Sequence, residues 1–244
     1  MKNIGIIPAT YNSVRFQGKP LADIHGKPMI WHVYQQAMKV NDLLEVYVAT
    51  DDQRIIDACT SYDMKVLKTF DTHATMTDRI HEVSNMIEAD SYVAISGDEP
   101  LIDPCIVSKV IPTTVNGFFA QNLMTPIVQA AGVIDATNIK VLFDEDKNAM
   151  YMSRAPIPYP KASLDFNYFK HVGVIAYSKE ALDFYVQTPR TYYETIEEIE
   201  FLRFIENDKL FKMIEVNAET VSVDTQKDLE MVRALLTLRK KSLH

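Results

Sequence analysis

Short apolar runs alternate with helical periods through the first half of this chain, and few folds accept that rhythm. Strand-like runs at 4–7, 44–49, 64–67 and 92–95 are separated by helix-like periods at about 28–40, 52–61, 77–88 and 104–111. A strand that returns through a helix runs parallel to its predecessor, so the expected fold is α/β, a mainly parallel sheet with helices on both faces. Ile4 to Ile7 is apolar without interruption, as a strand buried on both faces requires. From 117 to 190 the rhythm breaks into prolines and longer loops, with strand-like runs at 139–143 and 172–177. This middle region reads as a subdomain inserted into one domain spanning 1–244, serving as a substrate lid, a dimer arm or both. Helical pattern returns from Glu194 to Ile205, followed by a strand near 211–216 and a last helix at about 225–239.

In such sheets ligands gather beyond the carboxyl ends of the strands. The loop after Ile7 carries Arg15, Gly18 and Lys19: a guanidinium that can fork across phosphate oxygens, a residue permitting close backbone approach, and a compact charge. It is neither the GxGxxG fingerprint nor the GxxxxGK[ST] loop. As residues alone, it reads equally as a phosphate cradle or a solvated basic loop. Gly97-Asp98-Glu99-Pro100 places a carboxylate at the end of the 92–95 strand, where an aspartate can hold Mg²⁺. Asp224, before the last helix, reads by itself as an N-cap, and so do Asp51 and Asp52 after the second strand. Taken as a pair, Asp98 and Asp224 suit a nucleotide-bound Mg²⁺, which takes one or two protein carboxylates.

Composition bounds the function. A chain of 244 residues with 47% hydrophobic content can bury a sizeable core, and a net charge of −8 argues against nucleic acid as a partner. The opening apolar run is too short for a secretory signal and no stretch near 18 apolar residues exists, so a cytoplasmic protein without membrane insertion is expected. Cys59 and Cys105 lack zinc spacing and read as small core residues, while the histidines are scattered.

The segment "IIPATYNSVRFQGKPLADIHGKPMIWHVYQQA" resembles the opening of the CMP-Kdo synthetases, the 3-deoxy-manno-octulosonate cytidylyltransferases. Later segments follow in the family's order: "VYVATDD", "THATMTDRI", "SGDEPLIDP", "NIKVLFDED", "YMSRAPIPY", "FKHVGVIAYS" and "VSVDTQKDLEMVRALL". The resemblance implies a nucleotide-diphospho-sugar transferase fold, a three-layer sandwich that dimerises through the middle region. It implies transfer of CMP from CTP to the anomeric hydroxyl of Kdo or a related 2-keto sugar acid, for bacterial surface polysaccharide. Lys19, Asp98 and Arg15 would be catalytic, and Asp98 and Asp224 would hold Mg²⁺. Ala9, Thr10, Ser13, Arg15, Lys19, His73, Arg79, Ser96 and Gly97 would bind the nucleotide, although Thr77 and Asp78 also read as the start of a helix with Arg79 solvated. Arg154, His171, Glu197 and Glu200 would bind the acceptor, with a buried structural histidine as the other reading of His171. If Glu197 and Glu200 turn inward, an acceptor bearing a hydroxyl or amino donor suits them.

Four positions depart from the family pattern. Thr10 stands where an arginine is usual, Met76 replaces a glycine, Ser96 replaces a glutamine before Gly97, and Phe201 replaces a glutamine near the acceptor. Two other readings therefore stay open: the same transfer onto another acid, such as amino-Kdo, a nonulosonate or a phosphonate, and a homologue that binds nucleotide without turnover.

Overall fold

The structure, a computed structural model, describes residues 1–12, 16–163, 165–218 and 221–241. The chain runs β1 (Asn3–Pro8), β2 (Asp23–Ile24), β3 (Lys27–Pro28), α1 (Met29–Ala37), β4 (Glu45–Thr50), α2 (Gln53–Ser61), β5 (Val66–Lys68), α3 (Met76–Met86) and β6 (Ser91–Ile95). It continues through α4 (Pro104–Val107), β7 (Ala120–Pro126), α5 (Ala130–Ile134), β8 (Lys140–Phe143), β9 (Ala149–Ser153) and β10 (Phe169–Tyr177). Then come α6 (Lys179–Gln187), α7 (Tyr192–Glu197), α8 (Leu202–Ile205), β11 (Phe211–Glu215) and α9 (Gln226–Lys241).

The main sheet has the order β11-β7-β10-β6-β1-β4-β5. β6, β1, β4 and β5 pair in parallel, as do β7 and β11, whereas β10 is antiparallel to both its neighbours. β1 alternates between two cores: Ile7 packs with α1, α2 and α4 on one face, and Ile4 and Ile6 pack with α3, α6 and α8 on the other. Each fully buried isoleucine contributes about 1.5–3 kcal/mol, which is why this strand is apolar on both faces. The result is a three-layer α/β sandwich. A third core joins α9 to β2 and Met29 through Ile24, Leu229 and Val232.

Residues 117–190 divide between the sheet and an excursion from it. β7 and β10 lie in the middle of the main sheet, while β8 and β9 form a hairpin attached to β10. The run from Glu194 to Ile205, expected as one helix, is two. Glu198 adopts a left-handed backbone, φ 53°, and ends α7, and α8 begins only at Leu202. The expected 104–111 helix closes as four α-helical residues and a 3₁₀ turn at Ser108–Val110. Cys59 is buried as expected, but Cys105 is exposed beside the Asp103 cap of α4. No helix among the described residues is long and apolar enough to cross a membrane.

Candidate active site

β1 and β6 are parallel neighbours, and the chain reverses its direction of progress across the sheet at β1. Their carboxyl ends therefore open onto the crevice where ligands of such sheets bind. The two ends touch, since a Cβ on Gly97 would lie 2.9 Å from the Pro8 carbonyl oxygen. A cleft of about 480 Å³ begins here, and the structure brings Ala9, Thr10, Lys19, His73, Arg79, Ser96, Gly97 and Asp98 together in its walls. The Ser13 and Arg15 expectations lie outside the described residues. The far end of that loop is fixed by Gly18, at φ 71°, whose N–H donates to the Tyr11 carbonyl at 2.9 Å.

Two carboxylates far apart in the sequence meet on one ammonium. Lys19 Nζ donates to Asp98 Oδ2 at 2.7 Å and lies 3.6 Å from Asp224 Oδ1. The Val223 N–H donates to the Asp98 carbonyl at 2.9 Å, which ties the approach to α9 against the turn after β6. Ser96 Oγ donates to Asp98 Oδ1 at 2.6 Å. The cap of α9 is Thr225, in reciprocal hydrogen bonds with Asp228, so Asp224 is spared that duty. Two carboxylates converging on a compact cation are a donor set that fits a divalent ion.

Arg79 is buried in the wall of the cleft rather than solvated. Its Nη2 donates to Asp51 Oδ1 at 2.7 Å and its Nη1 to Thr69 Oγ1. Asp51 thus has a role that its position after β4 did not disclose, whereas Asp52 caps α2 as expected. His73 is held by Glu82. Met76, the first residue of α3, lines this cleft and also a neighbouring cavity of about 390 Å³ that contains Glu200.

A second cleft, about 200 Å³, shares Ser96 and Asp98 with the first and is lined also by Glu99, Arg154, Lys170, His171 and Asp224. Arg154 and His171 thus stand together in the cleft that adjoins the first at Ser96 and Asp98. Arg154 donates to the backbone carbonyls of Glu197 (2.7 Å), Ala136 (3.2 Å) and Glu198 (3.2 Å). The two glutamates face elsewhere. Glu197 accepts from Ser153 Oγ and the Arg154 N–H, and Glu200 Oε2 accepts from the Thr77 N–H at 3.0 Å, bracing the start of α3. The left-handed turn at Glu198 is what separates their directions. Phe201 is core, stacked on Phe211 at 5.3 Å and tilted against His171 at 5.9 Å.

Burial sets the charge states in this second cleft. The Glu99 carboxyl is pushed up to about 7 by burial and then by the neighbouring Asp98 charge. The His171 ring is pushed down to about 4 by burial, and further by the Lys170 and Arg154 charges. Burial lowers Lys170 as well. The pairing of β10 with β7 shifts register just past His171, before Ile175. Sequence reasoning passed over Glu99 and Lys170, although each adjoins a residue it singled out.

The sequence profile of the cytidylyltransferase family matches residues 4–214. The chain belongs to the cytidylyltransferase family. It is 39% identical over 241 residues to a 3-deoxy-manno-octulosonate cytidylyltransferase of Escherichia coli, covering 96% of each chain. It is 37% identical over 239 residues to an 8-amino-3,8-dideoxy-manno-octulosonate cytidylyltransferase of Shewanella pealeana, covering 96% of this chain and 98% of that one. Among solved structures it superimposes on a CMP:2-keto-3-deoxy-manno-octonic acid synthetase complexed with CTP, with a TM-score of 0.92 at 39% identity, covering 98% of this chain and 100% of that one. The resemblance read from the sequence is borne out, and this cytidylyltransferase has the expected three-layer nucleotidyltransferase fold.

Proposed function

We propose that this protein transfers CMP from CTP to the anomeric hydroxyl of Kdo or a closely related sugar acid and releases pyrophosphate. The observation that carries this reading is the junction of the two clefts at Ser96 and Asp98, with Lys19 and Asp224 beside it. The triphosphate would occupy the larger cleft, against Thr10 and Lys19, with Arg79 and His73 in its wall. The acceptor would lie in the smaller cleft, its carboxylate toward Arg154 and Lys170. Its hydroxyl oxygen attacks the α-phosphorus, the bond from that phosphorus to the bridging oxygen of the β-phosphate breaks, and the hydroxyl proton passes to solvent.

Asp98 and Asp224 would hold Mg²⁺, which when bound neutralises phosphate charge and makes phosphorus more electrophilic. Ser96 fixes the orientation of Asp98 through its 2.6 Å hydrogen bond, and Lys19 is the cation that stays beside the phosphates. Asp98→Asn and Asp224→Asn should each lower kcat by about 10²–10³-fold, the loss typical of one group stabilising transition-state charge. Near-normal turnover of either variant at limiting Mg²⁺ would remove that residue from the ion site.

Acceptors bearing an 8-amino group are a second reading, motivated by relatives of that name at 37–38% identity. Initial rates with Kdo and its 8-amino counterpart in parallel decide between them. The protein is further proposed to act as a homodimer through β9 and α7. These elements adjoin through Tyr151 and Tyr193, at 5.5 Å, and leave Met150, Tyr192 and Ile196 exposed. A monomeric mass in sedimentation at micromolar concentration would contradict this.

A further inference from the structure

Glu99 follows Asp98 in the chain, but it lines the acceptor cleft and not the nucleotide cleft. It is 4% exposed, and its two carboxyl oxygens are in unequal positions. Oε1 accepts from the Gly173 N–H and from Ser222 Oγ, both at 3.3 Å. Oε2 is buried and has no hydrogen-bond partner among the described residues. Gly173 makes this placement possible, since a Cβ there would come within 3.0 Å of Oε1 and 2.8 Å of the Ser96 Cβ.

An unpaired buried carboxyl oxygen is costly to the free protein, so the position calls for a donor from outside the chain. We infer that Glu99 Oε2 accepts a hydrogen bond from a hydroxyl of the bound sugar acid, which makes Glu99 a specificity-determining residue. The inference rests on the functional reading above and deepens it. The cleft sorts its charges in the way such a ligand requires. Arg154 and Lys170 are the cations in its lining, and they suit the carboxylate. Asp98 and Asp224 are drawn to Lys19, which leaves Glu99 as the acidic group in the lining that faces the rest of the ligand. An acid without hydroxyls, such as a simple phosphonate, would leave Oε2 unpaired. A site built to receive a hydroxyl discriminates strongly against the analogue that lacks it.

The test compares the full-length parent with Glu99→Gln in steady-state pyrophosphate release with CTP and Mg²⁺, using Kdo and its monodeoxy analogues. The glutamine oxygen can keep the Gly173 and Ser222 contacts, while its amide nitrogen sets a donor where Oε2 was an acceptor. The acceptor KM should rise about tenfold or more, the CTP KM should stay within about twofold, and the thermal midpoint should not move. The parent should discriminate against one monodeoxy analogue by about tenfold or more in kcat/KM, and the variant should lose that discrimination. An acceptor KM unchanged in a folded variant, or a parent that accepts every monodeoxy analogue equally, overturns the inference. Should the variant not fold, the analogue series on the parent decides alone. A parent inactive with every sugar acid overturns the functional reading and this one with it. An active parent with an indifferent variant overturns this one only.

Discussion

Thr10 stands in the wall of the nucleotide cleft where the family resemblance leads one to expect a guanidinium. A charge-assisted hydrogen bond contributes about 1.5–3 kcal/mol, so Thr10→Arg should lower the CTP KM by about tenfold or more. An unchanged CTP KM would mean that other groups already supply the missing charge. Asp98 was legible as a candidate because it stands just beyond the doubly buried 92–95 strand, whereas Lys19, well along the loop after β1, reads from the residues alone equally as part of a solvated basic loop. Asp224 was ambiguous, since an aspartate before a helix reads first as a cap. The capping box of Thr225 and Asp228 settles that position locally. Glu99 and Lys170 were illegible because their role comes from burial beside β10, which adjacency in sequence does not reveal. His171 gives a pH dependence with a definite sign. Folded, the ring stays neutral down to about pH 4; unfolded, it takes up a proton near its ordinary value of 6.5. Between these values the unfolded state binds more protons, so stability is present above about pH 6.5 and is lost as pH falls toward 4. The thermal midpoint should therefore drop less for His171→Asn than for the parent between pH 7 and pH 4.5, and equal drops would contradict the assignment.

The pair α7 and α8 shows what periodicity cannot report. Glu194, Glu197, Glu198 and Phe201 stand at the spacing of one helix face, yet Glu194 is fully buried and grips Arg203 through two hydrogen bonds, Nε to Oε2 at 2.8 Å and Nη2 to Oε1 at 2.5 Å. Arg203 Nη1 also donates to the carbonyls of Tyr185 and Thr188, so the pair ties α8 to the end of α6. Removing Arg203 leaves the buried Glu194 carboxylate with the half-exposed Arg190, 3.5 Å away, as its remaining cation among the described residues, so Arg203→Ala should cost about 3 kcal/mol in urea unfolding. A loss below about 1 kcal/mol would show that the pair is solvated in solution. β1, β4 and β6 were readable because strands covered on both faces are apolar runs. β7 has no apolar run to reveal it because it carries Gln121, Asn122 and Thr125 among its seven residues. Asn122 is fully buried, and its Nδ2 donates to the carbonyls of Val172 and Val174 at 2.8 and 2.9 Å, which bridges the irregular stretch of β10. A polar residue recruited by a neighbouring strand's irregularity has no signature in its own segment.

The sandwich collects distant parts of the chain at one crevice. Lys19 comes from the loop after β1, Asp98 from the turn after β6, Arg154 from the end of β9, His171 from β10, and Asp224 from the approach to α9. The insertion of antiparallel β10 between β6 and β7 sets the smaller cleft directly beside the larger one, and the two share Ser96 and Asp98. Neither parallel βαβ spacing nor any local motif announces that insertion, so the sandwich was legible and the junction was not. The junction is nevertheless what the proposed transfer depends on, because an in-line transfer requires both substrates to reach one point. The most direct test is pyrophosphate release by the parent protein with Mg²⁺ and CTP, with Kdo present or absent and UTP as the nucleotide control. Release should require Kdo or its 8-amino relative and fall away with UTP. CTP binding without release in the presence of either sugar acid would contradict the proposed transfer.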